Sequence, residues 1–144
     1  MEQLIENMKV VLASVFSLYL KTHYFHWNVE GPNFPQYHSF LNDLYEEIYG
    51  SIDTIAEEIR TLGAYAPGSF ARYKDMTIIE DEVNIPQALG MITKLHDDNL
   101  KVIKLLKETQ KMAEEENAVG LANFLQDRID RHYKHDWMLR SIIK

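Results

Sequence analysis

Apolar residues recur at spacings of three and four along most of the chain, and this periodicity predicts α-helices. The first run predicts helix A over about residues 3–29, because Gly31 and Pro32 then interrupt the pattern. The apolar stripe of that helix consists of Leu4, Met8, Val11, Leu12, Val15, Leu18 and Tyr19. Alternation of apolar and polar residues, which is typical of strands, is nearly absent. The pattern therefore indicates an all-α chain.

A second long helix is predicted directly after this break. Asn33 is a typical helix-capping residue, Pro35 suits the first turn, and Gln36 is spaced to reach back to the cap. Helix B then extends to about Leu62, where Gly63 provides a stop.

The second half of the sequence predicts two more long helices. The segment Asn84–Gln87 repeats the capping pattern, so helix C is predicted from there to about residue 113. After a turn at Glu114–Asn117, helix D continues to the end of the sequence. Residues 63–83 are predicted to connect helices B and C, with one short helix near Arg72–Asp75. Four helices with one longer connection predict a single domain, residues 1–144, folded as a ferritin-like four-helix bundle.

Composition narrows the chemistry that such a bundle can carry. The chain has no cysteine, which excludes a disulfide framework, thiolate metal sites and a cysteine nucleophile. Any metal ligands must then be His, Asp, Glu or weaker oxygen donors. These ligand types favour iron, manganese or zinc over copper(I) and iron–sulfur clusters.

Charge and hydropathy bear on partners and location. The formal net charge is −7, whereas sequence-independent DNA binding rests on clustered lysine and arginine, so we expect weak or no DNA binding. No stretch approaches the roughly 20 apolar residues of a membrane span. The opening residues Met1–Glu6 lack the basic region of a signal peptide. We therefore expect a cytoplasmic protein with no membrane partner.

Candidate metal ligands surround the break between helices A and B. His26 precedes the break, whereas His38, Asp53 and Glu57 follow it on one side of helix B. At a rise of ~1.5 Å per residue, Asp53 lies about 22 Å from His38 and Glu57 about 28 Å away. One chain therefore cannot bring His38 and Glu57 to a single ion.

Two arrangements remain open. Either the histidine end and the acid end are unrelated, or helix B packs antiparallel to its copy across a twofold axis, so that the ends meet twice in a dimer. The usual ferritin solution within one bundle requires Glu-x-x-His motifs. None of the six histidines follows a glutamate at that spacing, so an intrachain di-iron centre is not expected.

The same residues closely resemble the Dps family of miniferritins, the DNA-binding proteins from starved cells. The family signature is present as His26-Trp27-Asn28-Val29-Glu30-Gly31-Pro32-Asn33-Phe34, then His38, then Asp53-Thr54-Ile55-Ala56-Glu57. Two further segments are similar to the family, Ala66–Phe70 and Trp137–Ser141. The resemblance extends over essentially the whole chain.

This resemblance implies a hollow dodecameric shell built from twofold dimers, with iron sites at the dimer interface. His26 and His38 would come from one chain, and Asp53 and Glu57 from its mate. The family oxidises Fe(II), preferentially with hydrogen peroxide, and stores ferric mineral. The expected activity is therefore that of a ferroxidase, with iron as the metal and with Fe(II) and hydrogen peroxide as substrates. Trp27 would lie beside the site and could intercept a stray oxidising equivalent.

One ligand position departs from the family pattern. Four residues after His38 the family usually has an acid, whereas this chain has Asn42. A neutral amide oxygen is a weaker donor than a carboxylate. Asn42 is therefore expected to be a weak or lost ligand, with one metal retained and the second bound less tightly.

Three functions remain as alternatives. The leading hypothesis is an iron-oxidising and iron-storing miniferritin that protects against oxidative damage. A DNA-compacting protein is the second, and it is disfavoured by the charge and by the lack of a basic tail in this sequence. A ferroxidase-impaired shell that only binds metal is the third, and Asn42 is its best support. Among the other histidines, only His132, paired with Asp136, is matched with a carboxylate, and we interpret it as structural.

Overall fold

The computed structural model describes residues 1–144 and contains five α-helices and no strand. Their bounds are α1 (Glu2–Asn28), α2 (Phe34–Thr61), α3 (Phe70–Met76), α4 (Ala88–Glu115) and α5 (Val119–Ile143). The four long helices and the short helix in the connection from α2 to α4 confirm the predicted all-α order.

The apolar stripes of the long helices meet in one core. In that core α1 packs against α2 and α4, and α4 packs against α5. Its largest fully buried side chains are Phe25, Leu4, Met8, Leu12, Leu18, Leu41, Ile48, Ile55, Ile59, Met91, Ile92 and Leu95. Burial of such apolar surface is the main favourable term in folding. One long crossover between neighbouring pairs of helices is the connectivity of ferritin-like bundles, as predicted.

The turns around α2 follow the sequence signals only in part. Asn33 occupies the N-cap position and Pro35 lies in the first turn, but the Asn33 side chain makes no capping hydrogen bond. At the other end Gly63 has φ +94°, a left-handed conformation that glycine adopts without strain. The predicted stop is confirmed, whereas the predicted capping contact of Asn33 is wrong.

The start of α4 differs from the prediction. The helix begins at Ala88, and Asn84 lies in the preceding loop. The Tyr24 hydroxyl donates a 2.6 Å hydrogen bond to the backbone carbonyl of Asn84, and the backbone N–H of Asn84 donates to the Glu82 carboxylate. Glu82 in turn forms an ion pair with Lys94 of α4. Because these contacts hold Asn84 in a loop between α1 and α4, it cannot cap the helix.

No helix in the structure is both long enough and apolar enough to span a lipid bilayer.

Candidate metal centre

The break between α1 and α2 places two imidazoles in contact. Gly31, at φ +115°, lets the chain reverse in a few residues, so the end of α1 lies beside the start of α2. The rings of His26 and His38 stack with their centroids 3.8 Å apart and their planes 15° from parallel. Two histidines twelve residues apart in sequence thus form one pair.

Hydrogen bonds fix the tautomer of both rings. His26 Nδ1 lies 2.7 Å from the backbone oxygen of His38, and His38 Nδ1 lies 2.8 Å from the backbone oxygen of His26. A carbonyl oxygen can only accept, so each Nδ1 carries the proton and donates it. Each Nε2 is therefore the atom that a metal could bind, and it makes no hydrogen bond within the chain. A histidine that ligates a metal is typically held in this way.

The acid end of the candidate site lies further along α2. Asp53 and Glu57 are exposed and one helical turn apart. A hydrogen bond with Asp53 and the repulsion between the two carboxylates raise the pKa of Glu57. Neither acid forms an ion pair within the chain. This acid pair is a concentration of negative charge without a counter-ion, which favours a cation.

The two ends do not meet within one chain. Asp53 lies fifteen residues beyond His38 on the same helix, which corresponds to about 22 Å. No group of three or more His, Asp or Glu side chains in the single chain is arranged to hold a metal ion. The structure therefore brings His26 to His38 and Asp53 to Glu57, and leaves the two pairs apart.

Asn42 lies one turn after His38 on α2 and is half-buried. Asn42 therefore lies on the histidine side of the candidate site, where its side-chain amide oxygen, rather than a carboxylate, is available to bind a metal. Asp43, the neighbouring acid, is exposed and ~100° further round the helix.

An aromatic cluster adjoins the histidine pair. The His23 ring stacks on Tyr45, with centroids 3.8 Å apart, and the ring of Trp27 lies 4.2 Å from His23. The Tyr19 hydroxyl lies 2.9 Å from His23 Nδ1. Burial, together with the nearby Tyr49 and Tyr45, raises the pKa of Tyr19. Trp27 remains 58% exposed beside His26.

A second polar group joins α2, α4 and α5. This arginine cluster consists of Glu47, Asn99, Arg128, His132 and His135, all of them buried except Glu47, whose side chain is 28% exposed. Arg128 donates to both carboxylate oxygens of Glu47, at 2.6 and 2.9 Å. His135 Nε2 lies 2.7 Å from the same carboxylate. Although burial alone would raise the pKa of Glu47, these hydrogen bonds hold it well below its ordinary value.

The sequence did not reveal the arginine cluster. The interpretation of His132 as a structural residue fits its complete burial, but its predicted pairing with Asp136 is wrong. Asp136 instead lies 2.8 Å from His96 Nε2 and accepts from Arg140. The available signal was Arg128, a charged residue within the apolar stripe of α5.

Comparisons with known proteins agree with this architecture. A family model for the ferritin-like domain matches residues 5–144. The chain is 33% identical over 134 residues to the DNA protection during starvation protein of Brevibacillus brevis, covering 92% of this chain and 89% of that protein.

Solved structures show the same fold. The Dps protein from Bacillus brevis superposes with a TM-score of 0.95 at 29% identity, covering 99% of this chain and 96% of that one. Dps from Vibrio cholerae O1, described as a member of a broad superfamily of ferritin-like diiron-carboxylate proteins, also gives a TM-score of 0.95. Its identity is 25%, and the match covers 99% of this chain and 90% of that one. The chain therefore belongs to the Dps family of ferritin-like miniferritins.

Proposed function

We propose that this protein oxidises Fe(II) at a site shared by two copies of the chain and stores the ferric product inside a dodecameric shell. The observation that carries the proposal is the reciprocal pair His26 and His38, in which both Nδ1–H groups donate to backbone oxygens and both Nε2 atoms are left for a metal. The chain places no third ligand near these two nitrogen atoms, so the remaining ligands must come from a second chain.

The acid pair of a second chain supplies what the histidine pair lacks. With α2 antiparallel to its copy across a twofold axis, Asp53 and Glu57 of the mate come to the histidine end, and the arrangement repeats at the other end. Two imidazoles and two carboxylates suit Fe(II), and the carboxylates balance its charge. Ligating carboxylates must be deprotonated, and the hydrogen bond with Asp53 raises the pKa of Glu57, so metal binding is expected to weaken as the pH falls.

Oxidation needs no further residue from the chain to take part covalently. Two Fe(II) ions lose one electron each, and hydrogen peroxide accepts both and becomes two hydroxide ions. Consuming Fe(II) and peroxide together removes both reactants of hydroxyl-radical formation, which protects the cytoplasm against oxidative damage. Trp27, exposed beside His26, is placed to be oxidised in place of more distant targets when a single-electron step escapes.

The relatives support this proposal. The Vibrio cholerae protein is described as belonging to the ferritin-like diiron-carboxylate superfamily, which fits iron chemistry at carboxylates. The Brevibacillus brevis relative is named for protecting DNA during starvation. Protection by removing iron and peroxide requires no contact with DNA, and a chain of net charge −7 is ill suited to hold polyphosphate at physiological salt. A gel shift retained at moderate salt would favour the DNA-compacting alternative.

The activity is tested by adding Fe(II) to metal-free shells with hydrogen peroxide or with oxygen. Ferric absorbance and peroxide consumption are followed together. We expect Fe(II) to be oxidised faster than in buffer, with about one peroxide consumed for two Fe(II), since each Fe(II) supplies one electron and peroxide takes two. Oxidation no faster than in buffer would leave only the passive metal-binding shell.

A further inference from the structure

The arginine cluster inside the bundle has the parts of a metal site but is built around a guanidinium. Glu47 of α2 and His132 of α5 contact Arg128, and His135 of α5 contacts Glu47. One carboxylate and two histidines from facing helices are the ligand types that ferritin-like bundles use for iron in their cores. The Arg128 side chain is only 5% exposed, so its charge lies within the protein.

His132 is oriented as a metal-ligating histidine would be. Asn99 Nδ2 donates to the His132 carbonyl at 2.8 Å, which points the amide oxygen of Asn99 at His132 Nδ1, also at 2.8 Å. His132 Nδ1 therefore carries the proton, and Nε2 has a free lone pair. That lone pair accepts from Arg128 Nη2 at 3.1 Å. A metal ligand has the same tautomer and the same supporting contact.

Glu47 binds Arg128 through both carboxylate oxygens, as a bidentate carboxylate binds a metal ion. Its two oxygens accept from Nη1 and Nη2 at 2.6 and 2.9 Å. Nη2 thus lies between Glu47 Oε1 and His132 Nε2, and the nearby His135 Nε2 is 2.7 Å from Oε1. One nitrogen of the guanidinium occupies the point on which a carboxylate oxygen and an imidazole lone pair converge.

We propose that Arg128 is the built-in cation of this ligand set and keeps metal ions out of the bundle core. Arginine does not lose its proton in proteins, so the position stays filled at any physiological pH. A divalent ion entering the cluster would have to coexist with the buried guanidinium charge, which makes binding unfavourable. Arg128 thereby directs metal to the chain's other histidine pair, where no cation is built in.

The test uses Co(II), whose visible absorption reports bound imidazole and carboxylate, and does not depend on iron oxidation. The background carries His26→Ala, Asp53→Asn and Glu57→Gln, which removes the candidate site of the proposed function. In this background Arg128→Ala is expected to gain about one bound Co(II) per chain, with the spectrum of a low-coordinate site. Adding Glu47→Gln to Arg128→Ala is expected to abolish that binding.

Matched variants separate this role from a general effect of removing charge. Arg131→Ala removes an exposed arginine three residues away on α5, and Arg128→Lys keeps a cation in the core. Neither is expected to gain Co(II). Circular dichroism and size-exclusion chromatography report folding and assembly, and Arg128→Gln provides a smaller perturbation if Arg128→Ala loses helix.

The outcomes are decisive for Arg128. The proposal is supported if Arg128→Ala or Arg128→Gln binds a spectrally distinct Co(II) and adding Glu47→Gln abolishes that binding. It is also supported if one of these two variants is unfolded without metal and recovers its helix content when Co(II) is added. Folded variants that bind no Co(II), unfolded variants that Co(II) does not restore, or core binding with Arg128 intact would each overturn it. None of these results alters the test of iron oxidation in the wild-type shell.

Discussion

The chain contains two histidine–carboxylate groups, and they differ in the source of their positive charge. In the arginine cluster, Glu47 and His132 accept hydrogen bonds from Arg128, so the positive charge that balances the carboxylate comes from the same chain. The histidine pair lies near the start of α2 and the acid pair lies towards its C-terminal end, and neither pair contacts a cation within the chain. Similar residue types thus form a closed structural cluster in one place and two open pairs, the candidate half-sites, in the other.

The difference teaches that the number of histidines and acids does not identify a metal centre. A ligand set becomes a site only where its lone pairs and negative charge are left without an internal partner. The lowered pKa of Glu47, caused by the hydrogen bonds of His135 and Arg128 against the opposing effect of burial, marks a carboxylate that is already satisfied. The raised pKa of Glu57, caused by its hydrogen bond with Asp53 and their repulsion, marks one that is not.

Removing the internal cation should break the closed group. Arg128→Ala leaves the buried His132 and the 28% exposed Glu47 without their main partner. Loss of one member of a fully buried ion pair costs about 3–5 kcal/mol, and the partial exposure of Glu47 places the expected loss at the lower end of that range. We expect that loss in the free energy of unfolding, measured by urea denaturation without added metal. Arg131→Ala, at an exposed position, should change it by no more than about 0.5 kcal/mol. Equal effects of the two substitutions would contradict the assigned role.

Removing the charge of the acid pair should disable the open half-sites without unfolding the protein. Asp53→Asn with Glu57→Gln is expected to weaken metal binding at least about tenfold, because loss of even a residue that supports a ligand costs about 10–100-fold. Peroxide-dependent Fe(II) oxidation should fall to the rate in buffer, while the helix content stays unchanged because both residues are exposed in the single chain and the amides match the carboxylates in size. Glu58→Gln on the same helix is the control. Wild-type oxidation in the double variant would exclude the acid pair as ligands.

Acid should weaken the closed group in a defined pH window. Burial, followed by the charges of Arg128 and His135, lowers the pKa of His132 well below its ordinary 6.5. As the pH falls below about 6.5, His132 becomes protonated in the unfolded chain but not in the folded chain. Its contribution to the free energy of unfolding is therefore complete above that pH and is lost as the pH falls towards the folded pKa. Glu47 adds a second loss below its ordinary 4.5, since its folded pKa is also lowered.

The check is the free energy of unfolding between about pH 7 and pH 5, the window that lies below the ordinary histidine pKa and above that of glutamate. His132→Gln should flatten its decline, even though the variant is less stable at every pH. An unchanged slope would show that other groups govern the acid response.

Restoring the missing acid should produce the smallest of these effects. Asn42→Asp places a carboxylate one turn after His38, and we expect a second metal to bind about tenfold more tightly, a gain of about 1.4 kcal/mol. Oxidation should accelerate accordingly in stopped-flow absorbance. The control is Asp43→Asn, which changes a side chain pointing ~100° away. No gain in second-metal binding or in rate would show that Asn42 is not the weak point of the site.

Sequence reasoning reached the bundle and the half-sites for identifiable reasons. Helical periodicity and the glycine at Gly63 are local signals, and the structure confirms the helices that they predict. The fixed rise of an α-helix separates His38 from Asp53 whatever the tertiary packing. The contact between His26 and His38 also followed from local chain reversal.

Other features depend on contacts that no local pattern contains. The capping pattern at Asn84 resembles the one at Asn33, but the Tyr24 hydroxyl from α1 holds Asn84 in a loop. The pairing of Arg128 with Glu47 joins residues 81 positions apart on helices that the sequence could not align. Such partners are set by tertiary packing, which is why the arginine cluster was not predicted.

Mixed shells test most directly whether the candidate site is shared by two chains. Chains with His26→Ala and His38→Ala retain the acid pair, and chains with Asp53→Asn and Glu57→Gln retain the histidine pair. Each type alone should oxidise Fe(II) no faster than buffer. Randomly co-assembled in equal amounts, they should recover about a quarter of the wild-type rate, because half of the dimers are hybrid and each hybrid contains one intact site of two. Hybrid shells as inactive as their parents, or full activity in either parent, would contradict a site formed between two chains.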